Sequence, residues 1–460
     1  MSDKVIVLHP EVSHQKGDGR SYIRKPQAAL DEAMGLARAI DLDVVHSEII
    51  KLSKVTPATL MGSGVVDRVR VVVDETKADL VFVDYAVTPG QQRTLEEKWN
   101  CKVIDRTGLI LEIFGARART KEGMLQVDLA ALTYQRTRLV RAWTHLERQR
   151  GGFGFMGGPG ETQVELDRRM LDERIGRLKE ELEKVVKNRQ LQRVTRKKDT
   201  FPVVAIVGYT NAGKSTMFNR MTGADVFAKD LLFATLDTTM RGLKLPSGHS
   251  AILSDTVGFI SDLPTHLVAA FRATLEEVQE AAVILHVRDI SQENTDAEKE
   301  DVQNILRSLG IDPQKDSRMI EVLNKIDGLS KVDRNAMLTK SKRQENVVAV
   351  SALTGEGLDV LVSLIDARLG QDRKKLHIAI DITDGKALSW LYDRAEVLDR
   401  RDDDEAAYLM LSIDPADEDR FLDKFDYKFS KTKIKPKVKA KPKAKAKTKP
   451  KKAAPKKKKV

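Results

Sequence analysis

Val203-Val204-Ala205-Ile206-Val207-Gly208-Tyr209-Thr210-Asn211-Ala212-Gly213-Lys214-Ser215-Thr216 is the stretch whose reading decides the fold. Five apolar residues run into a glycine, and four residues separate that glycine from Gly-Lys-Ser. An unbroken apolar run of this length suits a strand buried on both faces. The spacing at its end suits a phosphate-binding loop that opens a helix. Glycines let backbone N–H groups close around phosphate oxygens without Cβ clashes. Lys214 is then placed to reach the β- and γ-phosphates and to stabilise charge on the transferring group. The Ser215 hydroxyl is placed to ligate Mg²⁺. A plain glycine-rich turn explains Gly208 but neither Lys214 nor Ser215.

Three further segments, each behind an apolar run, turn the nucleotide reading toward guanine. Asn324-Lys325-Ile326-Asp327 follows Met319-Ile320-Glu321-Val322-Leu323. A carboxylate at Asp327 accepts from guanine N1–H and N2–H₂, whereas adenine offers an acceptor at N1. Asn324 is placed to bridge the base's Hoogsteen edge and the phosphate loop. Ser351-Ala352-Leu353 follows Val347-Val348-Ala349-Val350 and fits a backbone loop around guanine O6. Asp255-Thr256-Val257-Gly258 follows Ala251-Ile252-Leu253-Ser254. That puts Asp255 at a strand end, suited to a metal-bound water, and the Gly258 N–H where a γ-phosphate is sensed. Taken in order, these words resemble the GTPase branch of P-loop proteins over about residues 200–370. Such proteins carry a switch threonine that completes the Mg²⁺ shell while the γ-phosphate is present. Phe233-Ala234-Thr235-Leu236-Asp237-Thr238-Thr239 offers three. Thr235 is chosen because the stretch resembles the FxTL switch of Obg-like GTPases, and Thr238 and Thr239 fit a strand start.

One position departs from the Ras-type pattern. The residue after the glycine of DxxG is Phe259, not a water-orienting glutamine. Intrinsic hydrolysis is expected to be slow, on the order of 10⁻⁴–10⁻² s⁻¹, until a partner or another group supplies the missing order. Asn211 resembles the asparagine of potassium-assisted GTPases, so K⁺ joins Mg²⁺ as an expected ion. A loop-stabilising turn explains Asn211 as well.

The chain has 460 residues, 32% of them charged and 5% aromatic, which suits several helix-rich domains. Its one cysteine, Cys101, excludes an intrachain disulfide framework and suits a reducing compartment. The first apolar run is too short for a signal peptide, and no run has the length of a membrane span, so a cytoplasmic protein is expected. The net charge of +11 misleads as an average: residues 431–460 hold sixteen lysines and no acid, and without them the balance is −5. This Lys/Pro/Ala segment has no apolar period and is expected to be disordered, either a solvated tail or a polyanion tether with salt-sensitive, sequence-independent affinity.

Ahead of the phosphate loop, apolar patterning predicts strands over 5–8, 44–52, 80–84 and 102–105. Helices are predicted over 26–40, 60–74, 88–99 and 107–117, several opened by Pro or Thr. Gly62-Ser63-Gly64 reads as a helix start or a phosphate contact. Beyond residue 120 the pattern changes. Leu125, Leu129, Leu132, Arg136, Leu139, Trp143 and Leu146 step by four and three, as do Leu171, Ile175, Leu178, Leu182 and Val185. These are seams of an antiparallel helical hairpin interrupted at Arg136. Its link, Arg150-Gly-Gly-Phe153-Gly-Phe155-Met-Gly-Gly-Pro-Gly160, is glycine-rich. Phe153 and Phe155 either stack on splayed bases, with Arg148 and Arg150 meeting phosphates, or tuck back onto the hairpin.

That loop with Glu161-Thr162-Gln163 and Asp167-Arg168-Arg169, the stretch Val103-Ile-Asp-Arg-Thr-Gly-Leu-Ile-Leu-Glu-Ile-Phe, and the Phe-Ala-Thr-Leu-Asp and Asp-Thr-Val-Gly-Phe words together resemble the HflX family across residues 1–370. The resemblance implies an α/β multidomain chain: an N-terminal α/β domain (1–118), a helical hairpin (119–198), a Ras-like G domain (199–370) and a small α+β C-terminal domain (371–428); the Lys-rich tail (429–460) is not part of the family pattern. In the C-terminal domain, residues 378–382 and 406–413 read as strands and 385–400 as a helix, with Asp402–Glu405 a solvated hairpin turn. The resemblance also implies a monomeric, cytoplasmic GTPase that binds the large (50S) ribosomal subunit and its rRNA, splitting or rescuing stalled ribosomes under stress. Two other roles fit the same residues: a ribosome-assembly GTPase, and an RNA-binding scaffold whose G domain senses nucleotide.

Overall fold

The computed structural model describes residues 3–12, 25–149, 159–196, 201–224, 232–233, 235, 239–261, 272–371 and 373–434. The chain divides into two compact units, residues 1–371 and 372–460. In the first, β1 (Lys4–Val12), β2 (Asp43–Leu52), β3 (Leu80–Val83) and β4 (Lys102–Asp105) form a parallel sheet of order β2-β1-β3-β4. Helices α1 (Pro26–Arg38), α2 (Ser63–Thr76), α3 (Pro89–Trp99) and α4 (Arg106–Arg117) connect and follow the strands. The two-residue period of β1 divides them between its faces. Val5 and Val7 pack with Leu36 of α1 and Ile113 of α4. Ile6 and Leu8 pack with Val69 of α2 and Trp99 of α3. Thr88 and Gln91 close a capping box on α3, and Gly62 precedes α2 as an extended N-cap, so the Gly62–Gly64 segment is a helix start.

Helices α5 (Lys121–Gln149) and α6 (Pro159–Arg196) pack against each other. The interruption at Arg136 is resolved across the pair, where its Nε meets Asp172 Oδ1 at 2.7 Å. The apolar stripe of α5 is wider than a hairpin seam because Val127 and Ala130 also face the N-terminal sheet's core.

The second sheet comprises β5 (Val203–Gly208), β6 (Thr239–Lys244), β7 (Ser250–Asp255), β8 (Val283–Asp289), β9 (Met319–Asn324) and β10 (Val347–Ala349), in the order β10-β9-β8-β5-β7-β6. Only β6 runs antiparallel to its neighbour. Helices α7 (Lys214–Thr222), α8 (Arg272–Glu280), α9 (Thr295–Ser308), α10 (Lys331–Arg343) and α11 (Leu358–Leu369) complete it. Val204 and Ile206 face one core, and Ala205 and Val207 the other. That second core is shared with the N-terminal sheet and holds Phe114 beside Phe233, Val257 and Phe259.

The C-terminal unit contains β11 (Lys374–Asp381), α12 (Gly385–Arg394), β12 (Glu396–Asp402), β13 (Ala406–Ile413) and α13 (Pro415–Lys424), with sheet order β11-β13-β12. The helix predicted over 385–400 therefore ends at Arg394. Ala395 turns extended, and the following residues pair antiparallel with β13, a tertiary pairing that local pattern did not reveal. Asp402–Glu405 is the hairpin turn, with the Asp403 carboxylate accepting the N–H groups of Glu405 and Ala406 at 2.9 and 2.7 Å. No helix among the described residues is long and apolar enough to cross a membrane. Residues 435–460, most of the lysine-rich segment, lie outside the described residues.

Candidate nucleotide-binding site

The site lies where β5, β7, β9 and β10 end, the edge at which an open parallel sheet presents its loops to a ligand. Gly208 closes β5 against β8, and a Cβ there would stand 2.2 Å from the Val287 carbonyl oxygen. Gly213 adopts φ +89, in the left-handed region, and a Cβ on it would stand 2.2 Å from Asn324 Nδ2. Ala212 and Thr210 are buried beside them, Thr216 is half-buried in the first turn of α7, and Asn211 is exposed at φ 59. Asparagine tolerates that conformation, so the turn reading of Asn211 fits, and its exposed amide stays available to a cation.

Lys214 is buried, with Nζ donating to the Tyr209 carbonyl at 2.6 Å. Burial pushes its ammonium down to about 8. Phosphates raise it again, because an opposite charge favours the protonated form. The sign for binding follows by linkage. Below about pH 8 the lysine is charged in both states and affinity is flat; above it, binding must take up a proton. Guanine-nucleotide affinity is expected to fall up to about tenfold per pH unit above that point. Calorimetric titrations of GDP between pH 7 and 9 check this, and a flat profile would contradict it.

Three oxygens converge beside Lys214. Ser215 Oγ and Thr235 Oγ1 are 2.8 Å apart, and each donates to Asp255 Oδ2, at 2.7 and 3.0 Å. The other carboxylate oxygen, Asp255 Oδ1, is buried with no hydrogen-bond partner among the described residues. Burial raises the carboxyl above its ordinary value despite the nearby Lys214. A buried carboxyl with an unsatisfied oxygen beside two hydroxyls is a fitting donor set for a hydrated divalent cation. Of the competing threonines, Thr239 starts β6 and Thr238 lies outside the described residues.

The loops after β9 and β10 are braced to the loop after β5. Asn324 Nδ2 donates to Ala212 O at 2.8 Å, and its Oδ1 accepts from Ala352 N–H at 2.9 Å. Both ends of this amide are engaged by backbone, so Asn324 ties the two loops together. Ser351 Oγ donates to Asp327 Oδ1 at 2.6 Å. Lys325, at φ 65, pairs with Asp289 at 2.8 Å, Ile326 is buried, and Leu353 is exposed.

The segment after Asp255 is zipped to the phosphate loop. Thr210 N–H donates to Phe259 O at 2.7 Å and Phe259 N–H to Gly208 O at 3.1 Å. The Phe259 side chain is 3% exposed, within the shared apolar core. Phenylalanine here thus anchors the segment instead of orienting water. Thr256 donates to Ile206 O and Val257 packs into the core beside Phe233. At Gly258 a Cβ would stand 2.9 Å from Thr210 Cγ2 and 3.0 Å from Lys214 Nζ. Sequence reasoning missed Glu32, Asp84 and Arg106, buried or nearly so at the rim of this segment. Arg106 sits inside the Val103–Phe114 stretch, but no spacing marked it as reaching the G domain. Ala234, Leu236, Asp237, Arg150, Phe153 and Phe155 lie outside the described residues; Arg148 belongs to α5, its side chain outside them.

Comparison with known proteins gives four matching family descriptions in chain order. They are GTP-binding GTPase N-terminal (residues 27–115), GTP-binding GTPase Middle Region (117–196), 50S ribosome-binding GTPase (203–325) and HflX C-terminal domain (336–429). A GTPase HflX of Magnetococcus marinus is 47% identical over 390 residues, covering 85% of this chain and 89% of its own. The GTPase HflX of Escherichia coli is 44% identical over 340 residues, covering 73% and 78%. Among solved structures, a GTP-binding protein from Sulfolobus solfataricus in complex with GDP aligns over 80% of this chain and 99% of its own, at 20% identity and a TM-score of 0.43.

Proposed function

This chain belongs to the HflX family of GTPases, and we propose that it acts as a GTP-switched factor on the large (50S) ribosomal subunit, splitting or rescuing stalled ribosomes in the cytoplasm under stress. The observation that carries the switch is the closure of Thr235 onto Ser215 and Asp255. Ser215 and Thr235 would hold Mg²⁺ directly, with Asp255 accepting from a metal-bound water. When bound, the ion would supply charge neutralisation to the phosphoryl groups. Lys214 stabilises the transferring phosphoryl group, the Gly258 N–H meets the γ-phosphate, and Asp327 selects guanine. Thr235 follows Phe233, which packs on Phe114 of the N-terminal domain at 4.8 Å between ring centroids. Ordering the switch therefore stiffens the face that carries the hairpin, and hydrolysis releases it. The link between α5 and α6, with Arg148, Arg150, Phe153 and Phe155, is the proposed rRNA contact.

With Phe259 in place of a water-orienting glutamine, the ribosome is the proposed source of the missing order. GTP hydrolysis measured in potassium buffer with and without purified 50S subunits is expected to rise at least about 100-fold with them, within the range that partners supply to GTPases. No stimulation together with no co-sedimentation would remove the ribosome from the proposal and leave the GTPase. Replacing K⁺ by Na⁺ in the same assay tests the cation role of Asn211. Dissociation of intact 70S particles separates splitting from a role in assembly.

A further inference from the structure

The sheet of the C-terminal unit has one face in a core and one face open. Leu376, Ile378, Leu409 and Leu411 turn toward Leu391 of α12 and Phe421 of α13. The alternate residues turn the other way. Register places His377, Met410 and Asp399 in one row and Ala379, Tyr408 and Arg401 in the next. All six are partly or fully exposed. The chain itself begins to cross this face. Ser430 pairs with His377 at the outer edge of β11, exchanging backbone hydrogen bonds at 2.7 and 2.8 Å. Its Oγ accepts the Thr432 N–H at 3.1 Å and so bends the chain. Lys433 Nζ then lies 3.9 Å from Asp399 Oδ2 on β12, which is separated from β11 by β13. Adjacent strands stand about 4.8 Å apart, so the chain and this lysine side chain together reach about 10 Å across the sheet. Ile434, the next residue, is half-buried.

The sequence that follows has the pattern to continue along this path. Lysine stands at every second position from Lys431 to Lys451. In an extended chain that period puts the lysines on one side and Ile434, Pro436, Val438 and Ala440 on the other. Proline at 436 and 442 favours extension over helix. The charges are complementary. Residues 372–430 hold sixteen acids against ten lysines and arginines, whereas residues 431–460 hold sixteen lysines and no acid. Lysine stems can lie along an apolar surface while their heads reach acids at its rim. Lys433 does this at Asp399, which it shares with Arg401 at 3.3 Å. Residues 434–440, when extended, span about 23 Å. That length carries them past Met410 and Tyr408 toward Asp403, which accepts the Tyr408 hydroxyl at 2.9 Å. We propose that the open face of this sheet is the docking surface for the chain's own residues 434–440. Their apolar side covers Ala379, Tyr408 and Met410, and the acidic rim holds their lysines. A polyanion competes with that rim for the same lysines, so docking weakens the grip of the lysine-rich segment on nucleic acid.

Trypsin reads the docking in the full-length chain. Lys439–Ala440 and Lys445–Ala446 are the same bond chemically, one inside the docked segment and one beyond it. Cleavage after Lys439 is expected to be at least about tenfold slower than after Lys445, since proteolysis follows the population of the open form. The double variant Ile434→Ser/Val438→Ser changes no charge and lies beyond α13 and Ser430, so the folded unit is left intact. It is expected to bring the two cleavage rates within about twofold of each other. The same variant is expected to bind a fluorescein-labelled oligouridylate at least about threefold more tightly, because docking no longer withholds lysines from it. Equal cleavage rates in the parent chain would overturn the proposal, as would protection that the double variant retains. Protection that rises with protein concentration would place the segment on a second copy and overturn the assignment to its own sheet. Unchanged oligouridylate affinity in the double variant would overturn the competition with nucleic acid.

Discussion

Asp327→Asn is expected to lower GTP affinity by about 10³–10⁵-fold and to make xanthosine triphosphate the preferred ligand, because a polar site built for one edge rejects a mismatched one that strongly. Asp327 is exposed, and its Oδ1 accepts from the Ser351 hydroxyl. Asparagine keeps that acceptor, so the loop and the fold are retained. What changes is the other atom, from an oxygen that accepts to an amide that donates. Guanine presents donors at N1 and N2, so the amide faces a donor. Xanthine carries a carbonyl at C2 and restores the match. Titration with fluorescent guanine and xanthine nucleotides decides the matter. GTP affinity within about tenfold of the parent would show that Asp327 does not read the base.

Asp255→Asn is expected to abolish Mg²⁺-dependent hydrolysis, by about 10³-fold or more, since several kcal/mol of charge stabilisation at about 1.4 kcal/mol per decade is lost with the ion. The substitution should be lenient to the fold. The carboxyl is buried, its Oδ1 has no partner among the described residues, and its folded pKa is raised by burial. A carboxyl whose folded pKa lies above its unfolded value costs stability once pH exceeds that unfolded value. Ionising Asp255 in the folded chain therefore costs stability. Asn removes that cost and retains an acceptor for Ser215 and Thr235. The nucleotide-free Tm is expected not to fall, while the upward shift of Tm on adding Mg²⁺ and GDP shrinks. A Tm lowered by more than about 5 °C, roughly 2 kcal/mol for a unit of this size, would mean that Asp255 is chiefly structural.

The segments of the candidate site were legible because each is a local pattern. Each loop sits directly behind a strand, and the parallel sheet brings strand ends to one edge whatever lies between them. Val203–Ser215, Asp255–Gly258, Asn324–Asp327 and Ser351–Leu353 could be placed from spacing alone. The strand starting at Glu396 was not legible, because its partner β13 creates it. Nor was the burial of Phe259, which a motif reading marks only as an absent glutamine.

The sequence by itself determined the strand–glycine-loop–helix of Val203–Thr222, the helices α5 and α6 and the family resemblance, since all of these are patterns within short windows. Only the tertiary structure decided that the N-terminal sheet and the G domain share one core, that Asn324 braces two loops, and that Glu32 and Arg106 grip Ser261 from 229 and 155 residues away. Long-range polar contacts carry no period and no fixed spacing. They arise from which buried donor meets which buried acceptor once the chain has closed, and that pairing is a property of packing.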